Sequence, residues 1–535
     1  MTASVAARIA ERLVEQGVRV VFTVPGEQID ALLGELANAG VRLVHTRHEQ
    51  AASMMAYGYA RSTGRIGVFA CVSGPGVLYS SAGLALGYAG DARMLCLAGQ
   101  IAVPAIGRGH GLPHELPDQL GILQRLTGWA ARVECPRQTD AVLAQAFHRL
   151  RHGRPRPVAV ELPADVLTAP AAAAQPWQAR QTDRAPDPEA LRRAAELLAA
   201  AEHPLVFVGS GARGAAPEAA RIAELLGAPV TCDTGGRGIV PDGRDPAIPL
   251  HAAHRLWPQV DVLLAVGTRL MRPQLQWGLD DRLKVIRIDL DPAELDRVRA
   301  PAVGIVADAA ETLRELTARL PAGRPRERWR AQAARARRDS TAESGTLAPQ
   351  LEFLAALREA LPADGFFVEE LTQIGLAARI AFPVTKPSSY VISTYQECLG
   401  FGFATALGVQ VANPDRPVLS VSGDGGFLYT CNELATAVLH RLPVVAVVFT
   451  DGAFGNVARS QHNRFGFTVA TELHNPHFAL LAQSFGAHGV RVKTPAELGA
   501  AIRTAFTHGG TPTVIEVPVG EMPTPWPLLH RPRVR

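Results

Sequence analysis

Val418-Leu419-Ser420-Val421-Ser422-Gly423-Asp424-Gly425-Gly426 is the stretch whose reading decides the fold. The apolar run Val418 to Ser422 reads as a buried strand, and the glycines after it mark its end. A helical pattern follows from Asn432 to His440, then a second apolar strand, Pro443 to Phe449, which runs into Thr450-Asp451-Gly452-Ala453-Phe454-Gly455. A strand–helix–strand unit pairs its strands in parallel, so Asp424 and Asp451, twenty-seven residues apart, fall at the carboxyl ends of neighbouring strands. Open α/β sheets bind ligands at that edge. A lone Gly-Asp-Gly is usually a plain turn; the second acid at the matching strand end changes its weight. Two hard oxygen ligands, glycines that admit a phosphate to backbone N–H groups, and a helix N-terminus together describe a Mg²⁺–diphosphate site.

With 535 residues the chain exceeds one core and is expected to form about three domains. A formal charge of +4 over that length leaves no dedicated nucleic-acid or membrane surface. The six cysteines (71, 96, 135, 232, 398 and 431) lack Cys-x-x-Cys spacing and lie mostly in apolar runs, as reduced core residues do. The start, Met1-Thr2-Ala3-Ser4, leads into an amphipathic helix without signal-peptide organisation, and no apolar run approaches the ~20 residues of a membrane span. The expectation is a cytoplasmic protein.

Three α/β blocks follow one another, predicting three consecutive doubly wound parallel-sheet domains at 1–165, 189–320 and 347–535. Strand candidates are Val20–Val24, Leu43–Thr46, Ile66–Val72, Met94–Ala98 and Val158–Leu162 in the first block. The second has Leu205–Val208, Pro229–Cys232, Val262–Val266 and Val285–Asp289. Pro163 to Pro188 reads as a Pro/Ala-rich linker. Arg324 to Arg338 carries seven arginines mixed with Ala, Gln and Glu at helical spacing, the pattern of a solvated linker helix.

Asp424 and Asp451 resemble the signature of thiamine-diphosphate (ThDP) enzymes, Gly-Asp-Gly followed after about two dozen residues by Asn-Asn or Asn-Asp. Other motifs keep the family order: Arg47-His48-Glu49-Gln50, Gly58-Tyr59-Ala60-Arg61, Ser73-Gly74-Pro75-Gly76 and Ala98-Gly99-Gln100. They are similar to the pyrimidine-binding domain of acetohydroxyacid synthases and 2-oxo acid decarboxylases, and the resemblance covers essentially the whole chain. It implies a pyrimidine-binding first domain, a middle nucleotide-fold domain and a diphosphate-binding third. It also implies Mg²⁺ held by Asp424, Asp451 and the carbonyl of Ala453, with Gly423, Gly425, Gly426, Phe454, Gly455, Thr372 and Gln373 around the diphosphate. Asp451 departs from the family's Asn and adds a negative charge beside that group.

By the same resemblance Glu49 hydrogen-bonds the aminopyrimidine and promotes its imino tautomer; from the bare sequence it is a first-turn helix carboxylate suited to the macrodipole. Leu399, in Glu397-Cys398-Leu399-Gly400, matches the apolar wedge between the cofactor rings, and the carbonyl of Glu397 the acceptor for the pyrimidine amino group. Without the resemblance Leu399 is an ordinary core leucine. Gly26 joins the cofactor set, and Ser73, Gly74, Gln100 and Val457 the substrate pocket. Since relatives build each site from two chains, a homodimer or homotetramer is implied.

Three synthase positions differ here. Their Thr-Lys-Trp is Thr127-Gly128-Trp129, an orienting arginine falls at Pro273 (Arg269 is retained), and an active-site tryptophan falls at Ser460. Glu27, in Val24-Pro25-Gly26-Glu27, stands where decarboxylases place an Asp or Ser and the synthases a Gly, and its ionisable group can act as a proton donor; His114 is a second candidate proton shuttle or else a surface-loop histidine. The expected activity is ThDP/Mg²⁺-dependent cleavage of a 2-oxo acid through an enamine, by decarboxylation, by carboligation to an aldehyde or oxo-acid acceptor, or both. Acetolactate synthesis is the alternative. A rival of another class, a dinucleotide-dependent oxidoreductase, rests on Gly209-x-Gly211-x-x-Gly214 with Asp233 beyond it. Gly235-Gly236-Arg237-Gly238 replaces the Gly-His-Gly element of FAD-binding synthases, so FAD is not expected to bind.

Overall fold

Seventeen strands form three parallel sheets among the described residues of the computed structural model, which are 3–173, 177–178, 185–321 and 326–535. Met1 and Thr2, parts of the expected linker (174–176 and 179–184), and 322–325 at the head of the arginine-rich stretch lie outside them. The first sheet contains β1 (Val20–Thr23), β2 (Arg42–His45), β3 (Gly67–Cys71), β4 (Met94–Gln100), β5 (Trp129–Arg132) and β6 (Val158–Pro163), in the order β2-β1-β3-β4-β6-β5. The second contains β7 (Pro204–Val208), β8 (Val230–Cys232), β9 (Val262–Val266), β10 (Lys284–Asp289) and β11 (Val303–Val306), ordered β11-β10-β9-β7-β8. The third contains β12 (Phe366–Glu369), β13 (Tyr390–Ile392), β14 (Val418–Gly423), β15 (Val445–Thr450), β16 (His488–Arg491) and β17 (Thr513–Pro518), ordered β13-β12-β14-β15-β17-β16.

The first and third sheets therefore repeat one topology. In both, the strand order reverses beside the first strand, between β1 and β3 and between β12 and β14. That switch point opens a crevice at the carboxyl edge, where open α/β sheets hold ligands.

All nine strands anticipated in the first two blocks form within two residues of their expected bounds. Six strands were not announced by the sequence, β5, β11, β12, β13, β16 and β17; four of these, β5, β11, β13 and β16, are sheet edges. An edge strand is short and covered on fewer sides, so its apolar signal is diluted.

The helices Glu49–Thr63 and Phe401–Ala412 join the first and third blocks. Nearly every residue of each is buried, because each packs on its own sheet with one face and on the other helix with the opposite face. They cross at Gly58 and Gly408. A Cβ on Gly408 would land on the backbone carbonyl of Met55, and one on Gly58 on that of Thr405. Residues from both blocks consequently merge into one core around Phe22, Met54, Tyr57, Phe401, Phe403 and Phe427.

The arginine-rich helix differs from the solvated linker expected. Glu327–Ser344 buries Trp329, Ala333 and Ala336 in the core of the central block with Trp257 and Trp277, and Trp329 Nε1 donates to the Pro204 carbonyl at 2.9 Å. Arg328, Arg330, Arg335 and Arg338 keep to the outer face. The small residues between the arginines form a narrow buried stripe that high overall polarity had masked. No described helix is long and apolar enough to cross a membrane.

Candidate active site

Asp424 opens a short helix, Asp424–Leu428, directly after β14 and is 3% exposed. Its Oδ1 accepts the N–H of Gly425 at 2.8 Å. Its Oδ2 accepts three donors: the N–H groups of Gly452 (2.8 Å) and Asp451 (3.2 Å) and the amide of Asn475 (2.8 Å). β14 and β15 are parallel neighbours with Gly423 opposite Phe449, so the loop after β15 folds over the aspartate. Asp451 Oδ1 accepts the N–H of Ala453 at 3.2 Å, and Oδ2 the Gln373 amide at 3.0 Å. Partial burial, and then the adjacent Asp424 charge, raise the Asp451 carboxyl above its ordinary pKa. Two carboxylates held this close without a cation repel each other. The oxygen donor set over glycine N–H groups fits a small hard cation such as Mg²⁺.

Gln373 is a hub as well as a strand-end residue. Besides Asp451, its side chain donates to the Gly520 carbonyl (3.4 Å) and accepts from Met522 N–H (2.8 Å) and Arg459 (3.3 Å). Thr372 caps the helix Gln373–Ala381 by accepting the N–H of Gly375 at 2.8 Å. Asn475 was not foreseen. Thr471 and Leu473, just before it, pair with Phe454 and Gly452 across the loop after β15, each at 2.8 Å, a pairing with no local sequence signal.

The turn after β13 carries Glu397 in the left-handed region (φ 47°), with its carboxylate on Arg379 at 2.8 Å and Leu399 half-buried beyond it. Glu370, absent from the expected set, lies 1% exposed beneath this turn.

The remaining expected residues gather at the matching edge of the first sheet. Glu49 begins the helix after β2, is 8% exposed, and lies against Gly76. Gly26 and Glu27 follow β1, Glu27 as an exposed first residue of a short 3₁₀ turn. Ser73 and Gly74 follow β3. The Ser73 hydroxyl is fully buried without a partner, and the His114 carbonyl packs over Gly74. His114 itself has a left-handed backbone (φ 67°) and a buried Nδ1 without a partner; His110 is exposed. Gln100 is buried with its amide committed, Nε2 to Glu161 at 3.0 Å and Oε1 to the N–H of Ile101 at 2.8 Å. Gln119 ties Gly74 N–H (2.7 Å) to the same Glu161 (2.8 Å).

These residues form two groups at the carboxyl edges of two sheets. Val457 belongs to neither interior. It is 51% exposed on the helix Gly455–Phe465, which buries no residue at all.

In the central block a cavity of about 340 Å³ opens at the β7/β9 switch point, lined in part by Gly211, Asp233, Thr268, Arg272, Arg379 and Glu397. A Cβ on Gly211 would lie 2.8 Å from Gly267 Cα, and one on Gly209 2.6 Å from Thr268 Cα. Loop-against-loop packing therefore accounts for these two glycines of the Gly-x-Gly-x-x-Gly motif.

Three family profiles match the chain in order. The thiamine pyrophosphate enzyme N-terminal TPP binding domain matches 3–122, the central domain 191–316, and the C-terminal TPP binding domain 371–517. The chain belongs to the thiamine pyrophosphate enzymes. It is 34% identical to a probable 2-ketoarginine decarboxylase of Pseudomonas aeruginosa, over 94% of this chain and 92% of that one. It is 31% identical to the acetolactate synthase isozyme 2 large subunit of Escherichia coli, over 97% and 96% of the two chains. A probable acetolactate synthase large subunit of Methanocaldococcus jannaschii is 30% identical over 93% of this chain and 89% of its own.

Proposed function

We propose that this protein is a ThDP- and Mg²⁺-dependent enzyme that cleaves a 2-oxo acid, with decarboxylation as its main outcome. The observation that carries this is the pair Asp424–Asp451, facing each other at adjacent parallel strand ends over glycine N–H groups. Bound ThDP supplies the nucleophilic carbon and the electron sink that such a cleavage needs. The chain's residues do the rest. Asp424, Asp451 and the Ala453 carbonyl hold Mg²⁺, and Gly423, Gly425, Gly426, Phe454, Gly455, Thr372 and Gln373 surround the diphosphate. Glu49 hydrogen-bonds the pyrimidine ring, Glu397 and Leu399 shape its seat, and Gly26 adjoins it. Ser73, Gly74 and Val457 face substrate, with Gln100 supporting that wall through Glu161. Glu27 and His114 exchange protons with the product carbon.

Decarboxylation is favoured over acetolactate synthesis by what surrounds the altered synthase positions. A Cβ on Gly128 would meet Arg156 Cβ at 2.6 Å, so no lysine fits there without a shift. The retained Arg269 lies over the Tyr395 ring and points toward Asp91, away from a free role in orienting an acceptor.

The blocks 1–165, 189–320 and 347–535 act as pyrimidine-binding, central and diphosphate-binding domains, and the central one works without FAD. The two half-sites are completed across a homodimer, which pairs further into a tetramer in a cytoplasmic setting. The uncovered helix Gly455–Phe465 supports that assembly, as do Phe465, Phe467 and Val469 beside it and Leu78 and Tyr79 on the first block, all exposed.

The test loads the protein with ThDP and Mg²⁺ and supplies a panel of 2-oxo acids, 2-ketoarginine among them because the Pseudomonas relative is named for it. NMR of the products separates aldehyde from acyloin and from 2-hydroxy-2-methyl oxo acid. Aldehyde is expected. A predominant 2-hydroxy-2-methyl oxo acid would return the enzyme to the synthases, and no consumption of any oxo acid would refute the proposal.

A further inference from the structure

The turn between β13 and the helix Phe401–Ala412 holds three residues with left-handed backbones, Thr394 (φ 58°), Glu397 (φ 47°) and Gly400 (φ 78°). Residues that carry a side chain adopt such a conformation at a cost, so the surroundings must hold them in it. Two braces do. Arg379, nearly buried, reaches Glu397 at 2.8 Å and Glu369 at 3.1 Å. Glu370 accepts the N–H of Gly400 at 2.8 Å with one oxygen. Its other oxygen accepts the N–H of Gly402 and the hydroxyl of Ser422, each at 2.9 Å.

Glu370 has no salt-bridge cation among the described residues; its three donors are neutral. Burial pushes its carboxyl up to about 7, against the pull of those three hydrogen bonds. A carboxylate in such a place costs more than a neutral side chain of similar shape unless its full acceptor capacity is needed. The geometry shows the need. The N–H groups of Gly400 and Gly402 converge on one group, and only a carboxylate offers two acceptor oxygens and no donor to oppose them. Ser422, the third donor, sits on β14 two residues before Asp424, so the clamp ties the turn to the strand that carries the diphosphate loop.

We infer that Glu370 is a positioning residue that sets the height of Leu399 and of the Glu397 carbonyl where this turn would meet the cofactor; this rests on the ThDP assignment above. Arg379 is the second brace of the same turn. Glu370 also packs against Gly426 of the diphosphate loop, where a Cβ would lie 2.0 Å from its Oε1, but its hydrogen bonds go to Gly400, Gly402 and Ser422, so its loss acts chiefly on the turn. A misplacement of about 1 Å at a reacting centre can cost roughly a hundredfold in rate without comparable loss of binding.

The experiment uses the full-length holoenzyme with ThDP and Mg²⁺ and two readouts. Calorimetric ThDP affinity reports the fold and the diphosphate clamp. Deuterium exchange of the cofactor's acidic ring C–H, followed by quenched NMR, reports the seat of the rings. Glu370→Gln is expected to keep ThDP affinity within about fivefold and to slow exchange at least about tenfold, with partial recovery in Glu370→Asp. Ser422→Ala, which removes one of the three donors, is expected to slow exchange about two- to threefold. Exchange within twofold of wild type in Glu370→Gln overturns the inference, as does an exchange loss matched by an equal loss of affinity. If Glu370→Gln fails to fold, Ser422→Ala decides, and unchanged exchange there overturns it. A wild-type chain that binds no ThDP removes the functional assignment itself, a distinct result.

Discussion

Glu433 accepts the backbone N–H of Arg47 through both carboxylate oxygens, at 3.0 and 3.2 Å, so a buried acid of the C-terminal block anchors the turn that delivers Glu49. Glu433 lies seven residues beyond Gly426 on the segment that continues the diphosphate loop. One chain therefore ties the turn that carries Glu49 to the segment that continues the Asp424 loop.

That carboxylate makes stability depend on pH. Burial pushes Glu433 up to about 7 from an ordinary value of 4.5, with Thr436 and the Arg47 N–H pulling the other way. The folded state therefore binds its proton more tightly than the unfolded chain. The resulting stability is fully present below about 4.5 and is lost as pH rises through about 7, by up to about 3 kcal/mol. Glu433→Gln should flatten this part of the pH dependence in urea titrations between pH 5 and 8; an unchanged slope would show that Glu433 does not titrate there.

Glu49→Gln should leave ThDP affinity near wild type and lower turnover by a factor on the order of 10² to 10⁴, the usual range for losing a positioned acid–base group. Calorimetry and steady-state kinetics check the two halves. Near-normal turnover would remove Glu49 from the mechanism.

Asp424→Ala should abolish Mg²⁺-dependent retention of ThDP on gel filtration, since it deletes a hard ligand and the acceptor of four donors around the loop. Retention equal to wild type would sink the metal assignment.

Asp451→Asn should keep Mg²⁺-dependent ThDP binding, because an amide oxygen replaces a carboxylate oxygen. It should also raise the melting temperature of the cofactor-free protein by about one to three degrees by removing a like charge beside Asp424. A fall in that temperature would mean that the Gln373 hydrogen bond outweighs the repulsion.

Gly408→Ala should cost more than about 2 kcal/mol, because its Cβ would collide with the Met55 backbone at a crossing of two buried helices that cannot part without opening a shared core. Thermal unfolding measures it, and a loss under about 0.5 kcal/mol would show that the crossing can relax.

The sequence alone determined the elements whose signal is local. Strand–turn–acid at 418–426 and 445–451 could be read because buried parallel strands are runs of apolar residues and their ends are marked by glycine. Glu49, Asp424 and Asp451 were named from motifs that occupy a few consecutive positions. Only the tertiary structure decided what comes from residues far apart in the chain. Glu370 beneath Gly400, Asn475 on Asp424, Gln373 joining Asp451 to Gly520 and Met522, and Glu433 under Arg47 are contacts across 30 to 386 residues, with no periodicity to announce them. The burial of Trp329 in a helix crowded with arginine belongs with them. Local spacing sets which residues reach a sheet edge; chain crossing and packing set which polar groups meet there.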